Sequence, residues 1–139
     1  KSNWLNKKVK ERKLEKTITL LGRFPTESMP SFFKLANVML VSLKDQYIFS
    51  LTVPGKIQSY MASSKPILTM LDGAGSKVVS EANCGFTANA GDYKELAKNV
   101  IKSYHLSTEM LDELGSNAFS FYIENYSKEK IINNFIKIY

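Results

Sequence analysis

Cysteine and histidine are almost missing from this chain of 139 residues, which has one of each. The lone Cys84 excludes an intramolecular disulfide and a multi-cysteine zinc site, and the lone His105 excludes a two-histidine metal cluster. No apolar run approaches the ~20 residues of a membrane span. The few glycines form neither a G-x-G-x-x-G nor a P-loop pattern. The sequence therefore carries no fingerprint of a metalloenzyme, a dinucleotide-binding protein or an NTPase.

Acidic residues are scarce in only one part of the chain. The formal net charge is +6, and residues 1–23 carry eight basic but only two acidic side chains. The other 116 residues carry eleven of each. The net positive charge, and with it the high pI of 9.3, therefore comes from residues 1–23. Such a run is typical of a solvated helix face, while the alternatives are an anionic membrane or a nucleic acid as its partner. The hydrophobic content of 44% and the length predict one folded domain over residues 1–139.

Short β-prone runs alternate with helical patterns. Strands are predicted at 17–21, 37–43, 67–71 and 85–88, and helices at 3–15, 27–36, 54–62, 76–82, 92–104 and from 107 onward. The runs at 37–43 and 67–71 are continuously apolar, which is typical of strands buried on both faces. Gly85 is expected to end a helix in the left-handed conformation. The alternation predicts an α/β fold with a Rossmann-like parallel sheet and helices on both faces.

Open parallel sheets bind their ligands at the carboxyl ends of the strands. The loops expected there are residues 22–26, 44–54, 72–75 and 89–92. Loop 44–54 carries the hydroxyls of Ser50 and Thr52, and it leads into a helix that begins at Pro54. The unpaired N–H groups of that helix, the small Gly55 and the cation Lys56 suit a phosphate. An ordinary helix start is the plainer alternative.

The residues alone indicate no active site. The only histidine, His105, lies in a predicted helix toward the C-terminus, so no nucleophilic triad can be assembled around it. Cys84 follows a tight turn, where we interpret it as a small packed residue and not as a reactive thiol.

A longer stretch of sequence is more informative. Residues 53–68 read VPGKIQSYMASSKPIL. They resemble the P-x-K-x-x-E-Y-M-A-x-G-K-P-I signature in the C-terminal domain of family 4, GT-B-fold retaining glycosyltransferases (glycosyl transferases group 1). Matching pieces follow in the right order: LGR at 21–23, LDG at 71–73, EANCG at 81–85 and GD at 91–92. Residues 49–58 are most similar to bacterial surface-polysaccharide transferases that move N-acetyl-fucosamine.

The resemblance implies that the domain binds the donor, a nucleotide-diphosphate sugar that we expect to be linked to UDP. It assigns the diphosphate to residues 51–53 and to the helix start at 54–56, and the base to residues 22–24. The candidate donor-binding residues are Gly22, Arg23, Phe24, Ser50, Leu51, Thr52, Val53, Pro54, Gly55, Lys56, Gln58 and Ser59. The donor is a substrate, and we expect no cofactor and no metal.

The chain departs from the family pattern where the ribose is held. Ser59 occupies the place of the signature glutamate, and Leu51 the place of the partner glutamate eight residues earlier. Either Gln58 compensates, or the ribose is held differently, or donor binding is impaired. Impaired binding would suit a degenerate transferase that is kept as a partner subunit.

The resemblance also implies partners. GT-B enzymes react in the cleft between two Rossmann-like domains, and 139 residues provide one. We therefore expect a fragment, truncated at its N-terminus, that catalyses no transfer alone and holds no catalytic residue. Its expected partners are the nucleotide sugar, the missing N-terminal domain and a glycan or lipid-linked acceptor, in the cytoplasm or at the inner face of the bacterial plasma membrane. Nucleic acid is not expected, although the alternative function is a non-catalytic α/β binding or regulatory domain whose basic segment faces nucleic acid.

Overall fold

A computed structural model describes residues 2–136. Lys1, the first cation of the basic segment, and residues 137–139 lie outside this range. The helices are α1 Ser2–Glu11, α2 Met29–Leu35, α3 Tyr47–Ser50, α4 Gly55–Ala62, α5 Ala74–Glu81, α6 Tyr93–Tyr104, α7 Thr108–Tyr126 and α8 Lys128–Ile136. The strands are β1 Met39–Ser42, β2 Ile67–Met70 and β3 Gly85–Ala88, and a turn of 3-10 helix at Thr26–Ser28 precedes α2.

The three strands form one parallel sheet in the order β1-β2-β3. Side chains alternate along a strand, so Val41 and Ile67 share one face while Leu40 and Leu68 share the other. Helices α4 and α5 pack on the first face, and α6 packs on the second. The predicted α/β class, with helices on both faces of a parallel sheet, is confirmed.

The core lies between the sheet and α4. Ile57 and Met61 are four residues apart, so they share one face of α4, and both are fully buried against the first face of the sheet. Helix α7 packs behind α4, and a Cβ on Gly115 would overlap the backbone of Ser64, two residues after the end of α4. Within residues 2–136, no helix is both long and apolar enough to cross a bilayer.

Cys84 belongs to this core, as its position after a tight turn predicted. Its side chain is fully buried, and Sγ donates a hydrogen bond to the carbonyl of Val79 at 3.6 Å. Burial raises the pKa of the Cys84 thiol to about 12. The thiol is therefore protonated at neutral pH and contributes packing, not reactivity.

The predicted strand at 17–21 is wrong. Ile18 N–H instead donates to the carbonyl of Leu14 at 2.8 Å, which closes a turn. The following residues have no ladder partner among those that the structure describes, and Ile18, Leu20 and Leu21 are exposed. A strand exists only through pairing with a neighbour, so β propensity alone did not produce one here.

The prediction of two strands buried on both faces is half right. β2 has Ile67 and Leu68 buried on opposite faces. In β1 the same pattern puts Val41 in the core, at 2% exposure, but leaves Leu40 half exposed, at 50%. The difference arises because α6 covers β2 and β3 but does not extend over β1, which is an edge strand within the described sheet.

The sequence predicts that Gly85 ends a helix in the left-handed conformation. This prediction is wrong. Asn83 takes that conformation instead, with a φ of 45°. Gly85 begins β3, where a Cβ would overlap the backbone of Ile67 in β2. The glycine is needed for the close approach of two strands.

We expect Gly85→Ala to lower the free energy of unfolding by about 2–4 kcal/mol, because the added methyl group must push β3 away from β2. Urea denaturation followed by circular dichroism measures this. Gly55→Ala is the matched control, since a Cβ at Gly55 meets no atom within 4 Å. The control should change stability by less than about 0.5 kcal/mol, and equal losses in the two variants would contradict the packing argument.

Candidate functional site

A cavity of about 250 Å³ opens at the carboxyl end of the sheet. Segments that follow all three strands form its wall, which consists of Leu43, Lys44, Asp45, Gln46, Tyr47, Phe49 and Ser50 after β1, Leu71 and Asp72 after β2, and Ala90 after β3. Three of the four loops expected at this edge, 44–54, 72–75 and 89–92, therefore meet around one space. The fourth, 22–26, does not line it.

Residues 47–50 form a short helix, α3, where the sequence predicted only a loop. The hydroxyl of Ser50 donates to the carbonyl of Tyr47 at 2.7 Å, so its proton is used within α3. Its oxygen remains an acceptor at the wall of the cavity. Tyr47, at 79% exposure, presents most of its ring to solvent beside the same wall.

Asp72 connects two of the loops. It directly follows Leu71 at the end of the β2 run, and its Oδ1 accepts a hydrogen bond from the backbone N–H of Ala90 at 3.0 Å. This bond joins the loop after β2 to the loop after β3. The wall of the cavity thus combines two carboxylates, Asp45 and Asp72, with one cation, Lys44.

Gly73 brings the loop after β2 into contact with α3. Its φ is 76°, and a Cβ would overlap the backbone of Ser50. Glycine alone tolerates both the dihedral angle and the close approach. Gly73 therefore sets the spacing between α3 and the start of α5.

Two helices begin side by side at this edge. α4 starts after Pro54 and α5 after Gly73, and a Cβ on Gly75 would lie 2.9 Å from Pro54 Cδ. Neither start has a side-chain cap, whereas Asp92 Oδ1 caps α6 at 2.9 Å and Ser107 Oγ caps α7 at 3.3 Å. Uncapped N–H groups and the positive ends of two helix dipoles together favour an anion.

The residues predicted for the diphosphate lie along this edge. Leu51 and Thr52 are exposed between α3 and α4, and Val53 is half-buried against the core. Pro54 precedes α4, while Gly55 and the exposed Lys56 form its first turn. Their contact with a diphosphate stays a prediction.

The residues predicted for the ribose lie one turn further along α4. Ser59 is exposed, and its hydroxyl donates to the carbonyl of Gly55 at 3.0 Å. The hydroxyl therefore has acceptor capacity left but no free proton. Gln58 is half-buried. The three alternatives for the ribose stay open predictions.

The residues predicted for the base, Gly22, Arg23 and Phe24, do not line the cavity. The ring of Phe24 packs against Phe32 of α2, with centroids 4.6 Å apart. Helix α2 contacts α4 through Phe33 and Tyr60, whose ring centroids are 5.2 Å apart, and burial raises the pKa of Tyr60. The segment is thus linked to α4 through two aromatic contacts, and its role stays a prediction.

Several polar residues of the wall have no role predicted from the sequence, among them Lys44, Asp45, Gln46 and Asp72. Asp72 could have been found, since a carboxylate that directly follows a buried strand lies at the ligand-binding edge. No signal in the sequence pointed to Tyr47, because residues 47–50 carry no pattern that distinguishes helix α3 from a loop.

His105 is remote from this chemistry. It ends α6, where its ring lies 5.4 Å from that of Tyr104, and it does not line the cavity. Among residues 2–136, no three side chains of His, Cys, Asp or Glu come together in a way that could hold a metal ion. Chemistry without a metal stays a prediction.

Comparison with known proteins identifies the family. The sequence profile described as Glycosyl transferases group 1 matches residues 1–105, about three quarters of the chain. The match includes all three strands, the wall of the cavity and the starts of α4 and α5, while α7 and α8 follow it. No curated protein and no solved structure matches the chain significantly. The chain belongs to the glycosyl transferases group 1 family, whose chemistry is the transfer of sugars.

Proposed function

We propose that this chain is the donor-binding domain of a retaining, family 4 glycosyltransferase, and that it holds the diphosphate of a UDP-linked sugar at the starts of α4 and α5. The observation that carries the proposal is the convergence of two uncapped helix N-termini beside a cavity at the carboxyl edge of the sheet. Membership of a sugar-transferring family supports it independently.

Transfer leaves negative charge on the departing nucleoside diphosphate. Oriented N–H groups and helix dipoles stabilise such charge without reorganisation, and each favourable helix N-terminus contributes about 0.3–1 kcal/mol. Lys56 adds an exposed cation in the first turn of α4. These groups would supply, without a metal, the charge stabilisation that the leaving diphosphate needs.

The wall of the cavity suits the sugar better than the diphosphate. Asp45 and Asp72 would repel phosphate, but their carboxylates accept hydrogen bonds from hydroxyl groups. The exposed ring of Tyr47 offers an apolar surface for one face of a sugar ring. We therefore assign the sugar to the cavity and the diphosphate to the adjoining helix starts.

Acceptor and acid–base groups would come from a second Rossmann-like domain, so that the isolated chain catalyses no transfer. The resemblance of residues 49–58 to N-acetyl-fucosamine transferases supports a role in bacterial surface polysaccharide synthesis. The acceptor would be a glycan on a lipid carrier at the inner face of the plasma membrane.

The proposal predicts amide chemical-shift changes when the ¹⁵N-labelled chain is titrated with UDP. Changes are expected at residues 51–59 and 73–75, because the diphosphate would contact N–H groups there. GDP and ADP serve as controls that identify the base, and changes at 22–24 that differ between the three nucleotides would locate it. The absence of any change at 51–59 with all three nucleotides would contradict the proposal.

Gly73→Ala is expected to weaken UDP binding more than tenfold, because the methyl group must displace Ser50 and the neighbouring start of α5. Gly91→Ala is the matched control. It also has a positive φ, 80°, but a Cβ there meets no atom within 4 Å. Both variants are compared by the same titration, after circular dichroism shows that they are folded. Equal affinities of the two variants for UDP would show that Gly73 does not shape the donor site.

Ser59→Glu tests where the ribose lies. A carboxylate accepts hydrogen bonds from both ribose hydroxyls, so we expect UDP to bind about three- to tenfold more tightly. Ser80→Glu adds the same charge at an exposed position of α5 and should leave affinity unchanged or slightly lower. No gain from Ser59→Glu would mean that the ribose is held elsewhere.

A further inference from the structure

The wall of the cavity at the carboxyl end of the sheet is rich in hydrogen-bond acceptors. Asp45 and Asp72 contribute two carboxylates, which accept hydrogen bonds and donate none. The hydroxyl of Ser50 donates to the carbonyl of Tyr47 at 2.7 Å, and Ala90 N–H donates to Asp72 Oδ1 at 3.0 Å. Two donors of the wall are therefore used within the protein, while the oxygens of Ser50 and Asp72 can still accept.

The wall also carries more negative than positive charge. Among residues 2–136, its only charged side chains are the two carboxylates and the ammonium group of Lys44. In the same range, no cationic side chain lies within 4.0 Å of either carboxylate. Lys44 and Asp45 are exposed, so water screens their charges, whereas Asp72 is half-buried. A ligand in the cavity therefore meets the charge of Asp72 with the least screening.

Two hydrogen bonds between β2 and the segment after β3 hold Asp72 at the wall. Leu71 N–H donates to the carbonyl of Ala88 at 3.1 Å, which continues the pairing of the strands by one residue. Ala90 N–H then binds the Asp72 carboxylate itself. That bond uses one of the roughly four acceptor positions of a carboxylate, so the others can accept from a ligand.

Given the proposed function, which places the donor sugar in this cavity, we propose that the cavity selects that sugar by its charge. It accepts a neutral sugar and rejects a uronic acid, and Asp72 is the residue that determines this specificity. A sugar hydroxyl can donate to the Asp72 carboxylate. A sugar carboxylate would instead bring a like charge and a second acceptor to it.

The size of the cavity makes the selection effective. Its volume of about 250 Å³ lies below the roughly 300–1,000 Å³ of sites that enclose drug-sized ligands, so it suits one sugar unit. Every substituent of a sugar held in so small a space lies near the wall. A charged substituent would therefore lie close to Asp72.

Three UDP sugars that differ only at C6 test this selection. UDP-glucose carries a hydroxymethyl group there, UDP-glucuronate a carboxylate, and UDP-xylose neither. The ¹⁵N-labelled 139-residue chain is titrated with each sugar and with UDP, and a Kd is fitted for each. We expect UDP-glucuronate to bind roughly tenfold more weakly than UDP-glucose, as like charges about 5 Å apart in a half-exposed cavity would cause.

UDP-xylose separates repulsion from the loss of a contact. UDP-glucuronate should bind more weakly than UDP-xylose too, because its carboxylate is repelled while the xylose simply lacks the group. Raised ionic strength should narrow the difference between UDP-glucuronate and UDP-glucose, because salt screens the repulsion. These comparisons need no variant.

Asp72→Asn removes the charge but keeps the size of the side chain and an oxygen that can accept from Ala90 N–H. We expect the ratio of the Kd for UDP-glucuronate to that for UDP-glucose to fall from roughly tenfold to about threefold or less. Asp112→Asn is the matched control, since it removes the same charge from an exposed position of α7 that does not line the cavity. The ratio should stay the same in this control, and circular dichroism checks that both variants are folded.

The outcomes distinguish this selection from the proposed function. Equal affinities for the three sugars, in a chain that binds UDP, would overturn the selection by charge and leave the diphosphate site in place. A ratio that is the same in Asp72→Asn as in the unchanged chain would show that Asp72 does not determine the specificity. No response to UDP or to any of the UDP sugars would overturn the proposed function and the selection together.

Discussion

Close approach of one backbone to another is the constraint on which this structure depends. At Gly85 two strands meet, and at Gly115 helix α7 meets the turn that follows α4. At Gly73 the loop after β2 meets α3. Any Cβ at these three positions would overlap main-chain atoms of the neighbouring segment, which cannot move aside as a side chain can. The first two contacts close the core, and the third sets the geometry of the cavity.

The chemistry of the site follows from that geometry. Gly73 and Gly75 allow α5 to begin directly beside Pro54, where α4 begins. The two helix starts have no side-chain cap, in contrast to α6 and α7, so the N–H groups of their first turns have no side-chain partner there. The hydrogen bond from Ala90 to Asp72 then holds the loop after β3 against the loop after β2. The proposed diphosphate site and the proposed sugar cavity adjoin each other because the loops are held at these points.

Elements whose signals are local could be predicted. The helix that starts after Pro54, the helices predicted to begin at 92 and 107, and the buried strand β2 all depend on residues that are near one another in sequence. The failures depend on neighbours far along the chain. Residues 17–21 have β propensity but no ladder partner among the described residues, and Leu40 is exposed because α6 does not extend over β1. Helix α3 was missed because its four residues carry no helical pattern or cap.

The sequence by itself determined the α/β class, the edge of the sheet where ligands are expected and, through the stretch at 53–68, the family. These properties follow from the alternation of apolar patterns and from residue types at fixed spacings. Only the tertiary structure decided that three loops share one cavity, that α4 and α5 begin side by side, and that Ala90 N–H is bonded to Asp72 in the wall of that cavity. Each of these depends on distances between segments that are separated along the chain, which no local pattern encodes.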